Sequence, residues 1–210
     1  VEPQYEEVVL KNLIDDIRGR GNAVTAGDIG YRYVVQTLQD RGASDVLFDM
    51  NSRYDVPGYG YQIAMGETAL AESWQSRDYL SHNHCMLGHL YSWLFSGIGG
   101  ISQESGSTAY KRIVIDPQIV GDLRDARVSF RSPYGLIRSE WKDAPDEFVQ
   151  TIEIPANATA RICLPATDPA KVTESGKPVS GRKDMAVESG TDGRIELHVG
   201  SGVYRIAVEK

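Results

Sequence analysis

Near residue 100 the hydrophobic period of this chain changes from that of helices to that of strands. Before that point apolar residues recur three or four apart; after it they alternate or form short β-branched blocks. A chain that switches period once keeps its helices and strands apart instead of interleaving them as βαβ units. The expected architecture is a helical part followed by an antiparallel β-sandwich. The joint falls near residues 99–108, giving units 1–101 and 102–210.

In the first unit, Tyr5, Val8, Val9, Leu13, Ile14 and Ile17 predict a helix over Pro3–Arg18, with Pro3 in its first turn and Gly19 at its stop. Tyr31, Val34, Val35 and Leu38 predict a second over Tyr31–Asp40. A third is expected over Ser44–Asn51, with Ser44 as N-cap. "YDVPGYGYQ" reads as a loop because Pro57, Gly58 and Gly60 break any period. Further helices are expected over Thr68–Gln75 and over Asn83–Ser96, the latter capped by Asn83 and closed by "GIGG". Beyond Gly100, "AYKRIVID", "DARVSF", "LIRSEWK", "EFVQTIEI", "TARICLP", "MAVESG", "GRIELHV" and "GVYRIAVE" read as eight strands. They are parted by turns such as "SPYG", "PANA", "ESGK" and "GTDG", with a hairpin turn over Asp143–Asp146.

Composition sets limits on function. Hydrophobic residues make up 41% of the 210, enough for a packed core. The net charge of −7 argues against nucleic acid as a partner, because phosphate binding needs clustered Lys and Arg. No apolar run approaches membrane-spanning length, so no membrane partner is expected. Cys85 and Cys163 fall in a predicted helix and a predicted strand and read as buried thiols. "VEPQYEEVVL" lacks the basic and apolar regions of a signal peptide. Its abrupt helical start is expected of a piece of a longer chain, which leaves the compartment open.

The chemistry-bearing residues concentrate between Gly58 and His84: Tyr59, Tyr61, Gln62, Glu67, Glu72, Trp74, Gln75, Arg77, Asp78, His82, Asn83 and His84. Taken singly each has an ordinary explanation. Glu72 could be a solvated carboxylate, Asn83 a cap, His84 a structural histidine and Trp74 core. Taken together they suit a sugar site. Aromatic faces cover the apolar face of a pyranose, amides and acids bond its hydroxyls, and a carboxylate can act as general base on water. His82, His84 and His89 do not make a metal site, since on a helix His84 and His89 would point roughly 140° apart. Neither a metal nor a cofactor is expected. There is no G-x-S-x-G, P-loop or dinucleotide fingerprint.

Four segments resemble the C-terminal part of bacterial α-L-rhamnosidases of glycoside hydrolase family 78. They are "GDIGYRYVVQTLQDRG" (Gly27–Gly42), "YGYQIAMGETALAESW" (Tyr59–Trp74), "SHNHCMLGHLYSWLFSGIGGI" (Ser81–Ile101) and "YKRIVIDPQIVGDLRDARVSFRSPYGLIRSEWK" (Tyr110–Lys142). "SGVYRIAV" resembles the last strand of the family's sandwich. The resemblance implies the last helices of an (α/α)6 barrel followed by a C-terminal β-sandwich, and an inverting hydrolase that releases terminal α-L-rhamnose. Inversion uses an acid and a base about 6.5–9.5 Å apart, leaving room for a water. Glu72 matches the family's general base and His84 the histidine beside it. Trp74 matches a wall of the rhamnose pocket, and Tyr59, Tyr61 and Asn83 match further substrate-binding positions. Ala71 and Ser73 stand where many members carry Trp and Arg.

The family's general acid lies in an upstream segment of D-x-x-x-R-x-E character that does not occur in this sequence. The expected partners are a rhamnose-containing carbohydrate and the N-terminal part of the same protein. Self-association through exposed helix faces is also expected. Two other readings accommodate the same residues: a non-catalytic carbohydrate-binding or scaffold fragment, and a glycosidase of the same fold acting on another sugar.

Overall fold

The computed structural model describes all residues, Val1–Lys210. Backbone proximity divides them into two compact units, Val1–Trp93 and Leu94–Lys210.

The first unit is helical. A single 3-10 turn, Pro3–Tyr5, leads into α1 (Glu6–Gly19); α2 (Asp28–Asp40) and α3 (Ser44–Asn51) follow. The apolar stripe anticipated for α2 is turned inward, whereas of the one anticipated for α1 only Ile17 is buried and Tyr5, Val8 and Val9 are exposed. Ile17, Tyr31, Val35, Leu38, Val46, Leu47 and Met50 are all buried. Burying one such side chain contributes about 1.5–3 kcal/mol, so this stripe carries the stability of the layer. Ion pairs close its edges: Arg41 with Glu6 at 2.6 Å and Arg18 with Asp45 at 3.2 Å. Helix α2 begins three residues before the predicted start. Ser44 is not a cap; Ala43 precedes α3 without a side-chain cap, and the Ser44 hydroxyl accepts the Trp93 indole N–H at 2.7 Å.

Between residues 59 and 96 the structure departs from the predicted elements. The glycine-rich "YGYQ" is not a loop: Tyr59–Ala64 forms α4. Its glycine serves close packing, because a Cβ on Gly60 would lie 2.1 Å from the Arg53 carbonyl oxygen. No helix forms over Thr68–Gln75, which is a series of bends and turns. Ser73 there bonds its own neighbourhood, accepting the Gln75 N–H and donating to the Gln75 side chain at 2.7 Å. Such local serine bonding competes with a helix. Nor is there a continuous helix over Asn83–Ser96. The His84 N–H is committed to the Leu70 carbonyl and Asn83 donates to Ser81 Oγ, so Asn83 caps nothing. The chain instead makes a 3-10 turn (Cys85–Leu87), a short α5 (Leu90–Trp93) and a π-helical turn (Leu94–Ile98). Cys85 is therefore exposed, against expectation, whereas Cys163 is buried and its thiol is pushed up to about 12, chiefly by that burial.

The second unit is a sandwich of two sheets. One has the order β1 (Ile101–Gln103), β2 (Arg112–Ile115), β6 (Thr159–Cys163), β10 (Ile195–Val199), β9 (Ala186–Ser189). The other runs β3 (Asp125–Ser132), β4 (Gly135–Asp143), β5 (Glu147–Ile154), β11 (Gly202–Glu209), β7 (Val172–Glu174), β8 (Lys177–Pro178). All eight anticipated strands are present, and the hairpin over Asp143–Asp146 joins β4 to β5, with Asp143 opposite Phe148.

One pair breaks the antiparallel expectation: β2 and β6 run parallel, Ile113 opposite Ala160. The chain leaves the first sheet after β2, builds β3 to β5 in the other, and returns beside β2 in the same direction. Alternation of side chains is the same for either direction, so the sequence pattern is blind to this. Strands β1, β7 and β8 were missed because they are two or three residues long. The "ESGK" turn joins β7 to β8, with Ser175 and Gly176 at φ 50° and 76°, the signature of a tight hairpin. Pro178 sits at the sheet edge, where a missing N–H costs no ladder bond.

Ile113, Ile115, Ile162, Leu197, Ile137, Phe148, Ile152 and Ile206 are fully enclosed in this unit. Trp141 stacks on Phe148 and donates its indole N–H to the Ile98 carbonyl at 2.8 Å. Gln150 and Ser139, also fully buried, bond each other at 3.1 Å.

Candidate active site

The polar segment from residue 65 to residue 84 is a folded-back loop anchored on α4. Two of its stretches face each other through the backbone. The Glu72 N–H donates to the Ser81 carbonyl at 2.8 Å, and the His84 N–H donates to the Leu70 carbonyl at 2.7 Å. The Ser81 N–H donates in turn to Glu72 Oε2 at 3.1 Å. Glu72 is exposed, and one of its carboxylate oxygens is thereby aimed by its own partner stretch. Its other oxygen is left to bond solvent or a ligand.

Behind this loop lies Gln62 of α4, 3% exposed. Its Nε2 donates to the carbonyls of Ala71 (3.3 Å) and Ser73 (3.1 Å), and its Oε1 accepts the Ala71 N–H at 3.4 Å. Trp74 closes the floor. It is 6% exposed, donates to the Ala26 carbonyl at 2.7 Å, and packs edge-on to Tyr31 (4.9 Å) and Tyr59 (5.2 Å). The Tyr59 hydroxyl donates to the Leu87 carbonyl, and burial pushes its pKa up to about 12. Tyr59 and Trp74 are thus fixed parts of the unit's aromatic core. Tyr61 is half-buried on α4, and Asn83 is exposed at the loop's return.

His84 is half-buried, with Nε2 3.7 Å from the carboxylate of Asp28, the first residue of α2. Glu72 and His84 therefore sit on facing stretches of one loop, and His84 brings Asp28 with it. Sequence reasoning did not single out Asp28, because its link to His84 spans 56 positions and follows no motif.

A second acid–imidazole pair spans the same loop: His82 Nδ1 lies 2.8 Å from Glu67 Oε2. Glu67 is only 12% exposed, His82 far more so. The hydrogen bond to Glu67, then its charge, raises the His82 pKa above the ordinary 6.5, with Asp78 adding to the effect. A raised imidazole pKa means that this tie is fully present below pH 6.5 and is lost as pH rises through the folded-state value. An NMR titration of His82 is expected to show a midpoint above 6.5, returning toward 6.5 in Glu67→Gln. A midpoint at or below 6.5 in the unmodified chain would contradict the pairing.

Comparison with known proteins adds to this geometry. Residues 1–98 match the family model described as the bacterial alpha-L-rhamnosidase 6 hairpin glycosidase domain, and residues 100–178 match that of the bacterial alpha-L-rhamnosidase C-terminal domain. This chain belongs to the bacterial α-L-rhamnosidase family. The two matches meet within two residues of each other and follow the helical and strand-rich parts of the rhamnosidase chain in order. A curated α-L-rhamnosidase of Streptomyces avermitilis is 29% identical over 218 residues, covering 99% of this chain and 20% of that protein. The crystal structure of S. avermitilis α-L-rhamnosidase complexed with L-rhamnose aligns at a TM-score of 0.82 and 27% identity, covering 93% of this chain and 19% of that one. The α-L-rhamnosidase of Dictyoglumus thermophilum aligns at 0.84 and 28%, covering 96% and 23%. The fold is accordingly that of the end of the rhamnosidase helical domain followed by the C-terminal sandwich. The chain spans about a fifth of the length of the curated relatives it matches.

Proposed function

We propose that this chain is the base-bearing segment of an inverting glycoside hydrolase that releases terminal α-L-rhamnose. The observation that carries the reading is the presentation of Glu72: an exposed carboxylate with one oxygen pinned by the Ser81 N–H and the other open, on a loop that also holds His84. The general base of an inverting glycosidase needs that arrangement. It must accept a proton from a water placed for attack on the anomeric carbon, and it must not collapse onto its own surroundings.

In the proposed step, Glu72 takes the proton as the water oxygen bonds to C1. The bond from C1 to the leaving oxygen breaks, and a general acid supplied from outside these residues protonates that oxygen. The sugar leaves as β-L-rhamnose. His84, held toward Asp28, orients the water or a ring hydroxyl. Tyr61 and Asn83 present hydrogen-bonding groups to the sugar, while Tyr59 and Trp74 shape the pocket from beneath as a rigid floor. The likeness to a solved α-L-rhamnosidase holding L-rhamnose supports the sugar class.

A carbohydrate-binding role for the sandwich finds less support. The outer face of its six-stranded sheet carries ion pairs such as Arg127–Glu140 and Arg138–Glu153, with no row of aromatic rings. The test is turnover of an aryl α-L-rhamnoside by the 210-residue chain and by the full-length protein that carries it. Turnover by the latter alone is expected. Clear turnover by the short chain would mean that its own residues, such as Glu67 or Asp78, supply the acid.

A further inference from the structure

We propose that Gln62 is the positioning residue of the general base. This rests on the reading of Glu72 given above and extends it to a residue that does not touch substrate. The Gln62 carboxamide binds the peptide groups on both sides of Glu72. Its Nε2 donates to the carbonyls of Ala71 and Ser73, and its Oε1 accepts from the Ala71 N–H. Loop residues lack the repeating bonds of helix or strand, so their peptide groups need other partners when buried. Here one side chain supplies three bonds to the residues that flank the reacting carboxylate, and the Ser81 contacts hold Glu72 from the opposite side.

The chemistry selects glutamine. Two carbonyls and one N–H must be met at once, which takes a group that both donates and accepts. A carboxylate offers acceptors alone and would confront two carbonyl oxygens. A leucine would fill the space and take this partner from all three groups, leaving the Ser73 carbonyl with only the Ser76 N–H. Asparagine has the same amide but is one methylene shorter. The amide is also carried on α4, whose close approach to the Arg53 carbonyl fixes the helix and hence the origin of the side chain. Glu72 thus inherits its position from a helix eight or more residues away in sequence.

The experiment compares Gln62→Leu, Gln62→Glu and Glu72→Gln in the full-length protein, measuring kcat and KM on an aryl α-L-rhamnoside across pH. Displacing a catalytic group by about 1 Å costs about 10²-fold in rate, so Gln62→Leu is expected to lose about that much kcat with little change in KM. Gln62→Glu is expected to be comparably impaired near neutrality. It should recover relative to the unmodified enzyme as pH falls, because a protonated carboxyl again both donates and accepts. General loosening of the fold would give no such recovery, and if Gln62→Leu does not fold, the pH course of Gln62→Glu decides. Gln62→Leu with unchanged kcat, or Gln62→Glu impaired equally at every pH, overturns the positioning role while leaving Glu72 as base. Retained turnover in Glu72→Gln overturns both.

Discussion

Replacing Glu72 with glutamine in the full-length protein is expected to lower kcat on an aryl α-L-rhamnoside by about 10²–10⁴-fold, the span that general acid–base groups contribute. The substitution keeps the size of the side chain, and an amide oxygen can still accept the Ser81 N–H that Glu72 Oε2 now accepts. Because Glu72 is exposed, no buried partner loses its bond, and the melting temperature should stay unchanged. What is lost is the capacity to take a proton from water. A variant that folds normally, binds rhamnose and turns over slowly is the predicted outcome. Near-normal turnover would remove Glu72 from the mechanism.

The second large effect is on stability. Gly60→Ala is expected to destabilise the helical unit by about 3 kcal/mol, at the upper end of ordinary overpacking costs. The added Cβ would lie 2.1 Å from the Arg53 carbonyl oxygen and 2.8 Å from its carbon. These are backbone atoms, which cannot swing aside as a side chain would. Relief requires α4 to withdraw, and α4 carries Tyr59 of the aromatic floor and Gln62 of the loop clamp. Thermal unfolding of the 210-residue chain checks this: a clear fall in melting temperature is expected, and an unchanged one would mean that α4 is free to shift.

Eight of the eleven strands were legible because each is a run of alternating or β-branched residues closed by a turn signal, a pattern written locally. Helices α1 to α3 were legible for the same reason at the other period. Residues 59–96 were not, because their bonds come from far away. Gln62 binds residues 71 and 73, Tyr59 binds Leu87, and Leu70 binds His84. Each takes up a group that a local helix would otherwise use, and no periodicity marks them. The glycines of "PGYG" looked like breakers; Gly60 is there because a helix must approach a carbonyl.

The candidate site divides the same way. Residue types and crowding suggested a sugar site. The roles of Glu72 and His84 came from family resemblance. The pairing of His82 with Glu67 and of His84 with Asp28 came from the fold, since neither spacing fits a helix or strand repeat.

The most direct test of the central claim is the anomeric form of the first sugar released. The full-length protein is given an aryl α-L-rhamnoside, and the anomeric protons are followed by NMR before mutarotation sets in. A water activated by Glu72 on the face opposite the leaving group predicts β-L-rhamnose first, with the α anomer growing in later. Release of α-L-rhamnose first, or of no rhamnose at all, would contradict the account.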